Sequence, residues 1–174
     1  MASWKLKPEI LTSDNIPVPM HGMAPRIVLG QPWWDKERRK AYKSTNYRCQ
    51  ACGVHKTKAR DRKWLEGHEV YKIDYSKGLM TYLFTMPLCH YCHNYIHDGR
   101  MRALLGENKL PHNKYVAIVQ HGDAILKEYN LERLSLVQRE QKIVDKMRKG
   151  TFARPETWKL IIDGIRYKNN ITRH

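Results

Sequence analysis

The chain has 174 residues, 41% of them hydrophobic, and a net charge of +15 from 32 Lys and Arg against 17 Asp and Glu. That length can bury a real core, and no run approaches the roughly 20 apolar residues that a membrane span needs. Lys5 and Lys7 have no apolar stretch behind them, so no secretory signal is expected and a cytoplasmic setting is. A charge this high exceeds what solubility requires and points to a polyanionic partner, nucleic acid first.

Residues 1–32 hold five of the eight prolines (Pro8, Pro17, Pro19, Pro25 and Pro32) and show little periodicity. They are expected to form an extended N-terminal arm wrapping the domain, with a strand at Arg26 to Leu29. From Trp33 to Lys43, Trp34, Arg38, Ala41 and Tyr42 share one helical face. Lys36 to Lys63 carries eleven Lys or Arg and two acids, hence +9 of the total charge. The cations expected to meet phosphate are Arg38, Arg39, Lys43, Lys56, Lys58, Arg60, Arg62 and Arg100, although such a run is more often just a solvated face.

Strands are predicted over Lys63 to Tyr71 and Leu79 to Met86, with Asp74, Ser76, Lys77 and Gly78 supplying the turn. A helix is predicted from His90 to Asp98, with Gly99 as its C-terminal cap, then a loop over Leu104 to Pro111. Asn113 to Leu131 has the clearest helical period: Tyr115, Ile118, Val119, Gly122, Ile125, Leu126 and Tyr129 form a core stripe. Glu132 to Arg148 reads as a weaker, charged helix. Asp163-Gly164 between apolar runs predicts a terminal hairpin, and Lys168 to His174 are expected to fray. The expected organisation is an arm over 1–32, a metal-bearing core over 33–110, and a helical C-terminal region over 111–174 that positions DNA or dimerises.

Cys49, Cys52, Cys89 and Cys92 form two C-x-x-C pairs with 36 residues between them. Two such pairs offer four thiolates to a tetrahedral structural Zn²⁺. The competing reading is a redox pair or free thiols in a reducing compartment. Between the pairs lies Leu65-Glu66-Gly67-His68-Glu69, and just beyond the second pair lie His93 and His97. Residues four apart stack on one helical face, so His93 and His97 can share an ion. A strand–strand–helix unit would let His68 or Glu69 face them. Imidazole ligands, an open side, a neighbouring base and a basic surface make a design for a single-metal hydrolytic site. His55, His90, His112 and His121 are read instead as hydrogen-bonded core residues. His93 and His97 are also open to a mixed Cys/His zinc site, and Glu66 to simply answering nearby positive charge.

These pieces resemble the HNH endonucleases, the zinc-clamped branch of the His-Me finger (ββα-metal) nucleases. The looser phrases PRIVLGQPWWDKERRKAY and IHDGR…KYVAIVQHGDAILKEYNL resemble bacteriophage and bacterial members. The core resemblance covers residues 47–100 and the looser one residues 24–131. It implies an α+β fold: a ββα-metal core with structural zinc, an extended arm, C-terminal helices and a terminal hairpin. It implies cleavage or nicking of duplex DNA with one divalent cation (Mg²⁺, Mn²⁺, Ni²⁺ or Zn²⁺), in a bacterial or phage-infected host cytoplasm. His68 matches the strand metal ligand, His93 the last His of the motif and His97 an additional helix ligand. Glu69 takes the place of the histidine that activates water. In the other register His68 is the base and Glu66 or Glu69 the ligand. Phe84 stands nine residues before His93, where the family has the Asn that braces the base.

The leading expectation is therefore a metal-dependent DNA endonuclease, a monomer that nicks or a homodimer that cuts both strands. The alternatives are a zinc-stabilised DNA-binding module with a degenerate nuclease site, and an RNA nuclease or partner-binding protein.

Overall fold

Proline and glycine set the course of the first third of the chain. The structure, a computed structural model, describes residues 4–168. Pro8 and Pro19 lie in short 3₁₀ turns, Pro8–Thr12 and Val18–Met20. Pro25 opens helix α1 (Pro25–Ser44), where its missing N–H is not needed. Gly30, at φ 83° and ψ 168°, kinks α1 in a conformation that L side chains rarely adopt. Arg26 to Leu29 are thus helical rather than the expected strand: Pro25 starts a helix there instead of ending one. Nor is the arm merely extended over a surface, since Ile10, Leu11, Met20 and Met23 are buried.

Strands β1 (Glu66–Asp74) and β2 (Leu79–Leu88) come next, joined by the turn at residues 75–78. Strand β1 starts three residues later than Lys63 and runs three past Tyr71. The turn is held by Asp74, whose carboxylate accepts from Ser76 N, Ser76 Oγ and Lys77 N at 2.8–3.1 Å. Helix α2 (His90–Ile96) ends earlier than expected. His97 joins it to helix α3 (Asp98–Gly106), so Gly99 is inside α3 and not a cap, and Leu104 to Gly106 are helical rather than loop. Helix α4 (His112–Glu128) carries the anticipated stripe, with Ile118, Gly122, Ile125 and Leu126 buried. Helix α5 (Leu136–Arg148) opens with a capping box between Ser135 and Gln138, worth about 1 kcal/mol. Strands β3 (Lys159–Ile162) and β4 (Ile165–Lys168) form the expected hairpin. Asp163 and Gly164 both have positive φ, 49° and 80°, as a type I′ turn demands. The expected fraying falls mostly on residues 169–174, outside the described ones.

The described residues are thus mixed α+β, with five helices and one sheet in the order β1-β2-β3-β4. They cluster into two units that interleave along the chain and cross the boundaries expected at 32/33 and 110/111. The first unit takes the residues up to Ser13, Arg38–His68 and Met86–Arg133. The second takes Asp14–Glu37, Glu69–Thr85 and Leu134 onward.

In the second unit β3 runs parallel to β2, pairing Leu79 with Lys159 and Thr81 with Ile161. It runs antiparallel to β4, pairing Lys159 with Lys168 and Ile161 with Arg166. One sheet face buries Met80, Trp158, Leu160 and Ile162 with Met20 and Met23 of the arm, and Val28, Leu29 and Trp33 of α1 close over them. Gly78, at φ 65°, lies so close to Ala153 that an added Cβ would stand 2.9 Å from the alanine methyl.

In the first unit α4 and the Pro8–Thr12 turn pack on α2. Gly122 lets the two helices meet, because any Cβ there would overlap the Tyr95 ring. Tyr95 donates to Asp123 Oδ1 at 2.6 Å. Arg133 donates to the Tyr95 carbonyl at 2.8 Å and lies over its ring. Short helix α2 is thereby clamped, and it carries four of the residues singled out from the sequence, directly or at its caps. Among the described residues no helix is long and apolar enough to cross a membrane.

Candidate metal centres

The first unit holds two clusters of metal-binding side chains. One joins Cys49, Cys52, Cys89 and Cys92, with their sulfurs all within 4.8 Å of one another. Cys49 and Cys52 sit on a tight turn: Cys49 N donates to Val54 O and Gly53 N to Cys49 O. Gly53 takes φ 75° to close that turn. Cys89 is the N-cap of α2, and Cys92 lies in its first turn. No disulfide forms among them. The Cys52 and Cys89 sulfurs are 3.8 Å apart, the edge expected of a tetrahedron with ~2.3 Å Zn–S bonds and far beyond the ~2.05 Å of a disulfide. The four cysteines can therefore hold a structural metal such as zinc. Hydrogen bonding to Cys49 brings the Cys52 thiol down to about 6, so it ionises readily for a cation. His121, read from the sequence as a core histidine, stands with Nε2 at 3.4 Å from Cys92 Sγ. Burial would lower its pKa, but the thiols of Cys52 and Cys89 outweigh burial and hold it up to about 9.

The second cluster is His68, His93 and His97, each offering a nitrogen within 4.8 Å of the others. His68 projects from β1, His93 from the last turn of α2, and His97 from the α2–α3 junction. Their ring centroids are 4.6–5.6 Å apart. His68 is buried, and its Nδ1 finds no hydrogen-bond partner among the described residues. An orphaned buried imidazole nitrogen beside two others is what a ligand set looks like without its ion. Burial lowers the His68 pKa to about 3, aided by His93 and His97. Burial also lowers His97 to about 4, with His93 and Arg100 acting in the same sense. Both rings are therefore neutral at ordinary pH, the form that binds a metal.

Glu66 is the carboxylate of this cluster. It precedes His68 by two residues, so strand alternation puts both on one face. Its Oε1 accepts from His90 Nδ1 at 2.7 Å and Arg62 Nη1 at 3.0 Å. Its Oε2 lies 2.7 Å from His93 Nδ1. Burial would raise the Glu66 pKa, but His90 and His93 prevail and hold it well below the carboxylate range. Glu66 thus steadies one candidate ligand, with its Nδ1 edge facing the carboxylate, rather than competing for the ion. Asn94 braces His90 in turn, donating to its carbonyl at 2.8 Å.

Glu69 is not among the grouped ligands. It comes directly after His68, so the pleat turns it to the opposite face of β1. There its charge acts on Tyr71 and Tyr82 and helps raise their pKa values, behind the larger effect of burial in each case. Of the two residues expected to face the helix histidines, His68 or Glu69, it is His68 that joins them, and Glu66 adds its carboxylate beside His93. The spacing Glu-x-His on a strand was the signal for it. Phe84 lies in β2, a little over a third exposed.

The eight expected phosphate-binding cations divide by environment. Arg39, Lys43, Lys58, Arg60, Arg62 and Arg100 are exposed, while Arg38 and Lys56 are half-buried. Arg62 is committed to Glu66. Lys56 and Arg60 lie over the rings of Tyr47 and Tyr91. Arg38 hydrogen-bonds Tyr42. Arg100 acts on His97 from the first turn of α3. Comparison of the chain with models of protein families, with curated proteins and with solved structures finds no match.

Proposed function

We propose that this protein is a metal-dependent endonuclease of duplex DNA, of the HNH type that its motif resembles. The observation that carries the reading is the convergence of the His68, His93 and His97 imidazoles, beside which the buried Nδ1 of His68 has no hydrogen-bond partner among the described residues. The order β1, β2, α2 also matches that of a ββα-metal unit, and the Cys₄ cluster grips the helix that bears His93. A divalent cation held by His68, His93 and His97 would supply positive charge to a phosphate oxygen and make a water more acidic. Three imidazoles suit Zn²⁺ or Ni²⁺ better than Mn²⁺ or Mg²⁺, which favour oxygen.

The chain's own groups do the rest. Glu66 fixes the orientation of His93, and burial keeps His68 and His97 unprotonated. The depressed basicity of His68 suits ligation rather than proton carriage, because an effective general base has a pKa near the working pH. Exposed Arg100, just past His97, is placed to meet a neighbouring phosphate. His93→Ala should lower plasmid nicking by at least about a thousandfold, the scale of removing a charge-stabilising group and more. DNA affinity and zinc content should stay near wild type. Nicking at the native rate by this variant would end the assignment.

A second reading, a zinc-stabilised DNA-binding module, draws support from Glu69 lying on the far face of β1 and from Phe84 in place of an Asn. It predicts duplex binding with no nicking by the wild-type chain in Mg²⁺, Mn²⁺, Ni²⁺ or Zn²⁺.

A further inference from the structure

The sheet of the second unit has one face packed and one more open, on which Lys72, Leu83, Arg166 and Lys168 are exposed and the other residues half-buried. Met80, Leu160 and Ile162 point into the core, and Tyr71, Ile73, Tyr82 and Tyr167 pack against it. Alternation therefore places Val70, Lys72 and Asp74 of β1, Leu79, Thr81 and Leu83 of β2, Lys159 and Ile161 of β3, and Arg166 and Lys168 of β4 on the other side. None of these ten residues is buried. A sheet face left to water usually mixes both signs of charge. This one does not. Its cations are Lys72, Lys159, Arg166 and Lys168. Its one acid, Asp74, sits at the strand end and is engaged by the turn through Ser76 and Lys77.

A second observation sharpens the point. Lys159 and Lys168 are direct cross-strand partners, and like charges in that position destabilise a hairpin. Neither they nor Lys72 and Arg166 have a side-chain hydrogen bond or ion pair among the described residues. The hairpin thus holds an uncompensated pair of cations, on a surface with little else to do, in a chain of charge +15.

We propose that the more open sheet face is a docking surface for the sugar-phosphate backbone of duplex DNA, held by Lys72, Lys159, Arg166 and Lys168. The inference rests on duplex DNA being the substrate, but not on the metal chemistry. Phosphates between Lys159 and Lys168 would turn their repulsion into attraction on binding. Contacts of this kind position a duplex without reading its sequence.

The test uses the full chain in the His93→Ala background, so that binding is read without cleavage. Duplex affinity is measured across a salt series for that protein and for one also carrying Lys72→Gln, Lys159→Gln, Arg166→Gln and Lys168→Gln. Each lost phosphate contact should reduce the slope of log affinity against log salt by ~0.9, so a drop of about 3.6 is expected, with at least tenfold weaker binding near physiological salt. A control on another surface, Lys127→Gln with Lys142→Gln, should change the slope less. Lys168→Gln alone should also raise Tm, because it relieves the cross-strand repulsion. An unchanged slope in the quadruple variant, or an equal drop in the control, overturns the surface. Metal-dependent nicking by the wild-type chain is scored separately, so loss of that reading and loss of this one are distinct results.

Discussion

Helix α2 serves two metal-binding clusters that differ in kind. At its N-terminus Cys89 and Cys92 meet Cys49 and Cys52 in a closed, four-donor set, mostly buried, with donors all of one chemistry. At its C-terminal end His93 and His97 meet His68 in a three-donor set that is less buried at the two helix histidines and has a carboxylate behind it. Four thiolates fill a tetrahedral ion and leave it nothing to do but hold the chain. Three imidazoles leave a position open for a water or phosphate oxygen. On the proposed reading, the same seven-residue helix would separate a stabilising role from a chemical one by which end a side chain occupies.

Removing the stabilising end should have the largest effect. Cys92→Ser leaves three thiols and forfeits much of a folding contribution that is roughly 10–16 kcal/mol in zinc-finger peptides. Loss of the cooperative thermal transition is expected, together with the bound zinc. A strong chelator should do the same to the wild-type chain. An unchanged Tm after complete zinc removal would show that the thiols hold nothing.

An intermediate effect is expected at the carboxylate behind the open set. Glu66→Gln keeps the shape but removes the charge that steadies His93. Metal affinity at the imidazole cluster should fall by about 10–100-fold, read by competitive titration, while the tightly held zinc stays. Equal weakening of both sites would erase the distinction between them.

The smallest effect is in pH. His68 and His97 have folded pKa values below the ordinary 6.5, at about 3 and about 4. The unfolded chain therefore takes up protons near 6.5 that the fold refuses. Stability from these two groups is present above 6.5 and is lost as pH falls from there towards 4. With zinc on the thiols and the imidazole cluster metal-free, Tm should fall over that range. The His68→Gln, His97→Gln variant should show a shallower fall. Parallel curves would mean that the rings are protonated in the fold.

Range along the chain decides which features are legible in the sequence. The zinc pairs and the Asp163-Gly164 turn are local patterns, each within four residues, and their geometry is built into the spacing. Arg26 to Leu29 misled because Pro25 can either break or begin a helix, and the residues beyond it decide between the two. The partners of Glu66 were hidden for another reason. His90 is 24 residues away and His121 is 29 from Cys92, so neither contact leaves a periodic trace. The pairing of β3 alongside β2 is longer still, and nothing in either strand alone names its neighbour. The imidazole cluster was legible only in part. His93 and His97 are one turn apart, but choosing between Glu66 and Glu69 required knowing which face of β1 the pleat turns inward.

The interleaving of the two units sets an order of assembly. Every segment of the first, cysteine-bearing unit has been synthesised once Arg133 is added, whereas the second lacks two of its four strands until Lys159–Lys168 are made. Synthesis from the N-terminus therefore lets the thiol-bearing half close while the other half is still waiting for its last hairpin. In that interval β2 has an unpaired edge, so a truncation before residue 159 exposes a strand that neighbouring chains can pair with, and aggregation rather than a shorter working protein is its natural outcome.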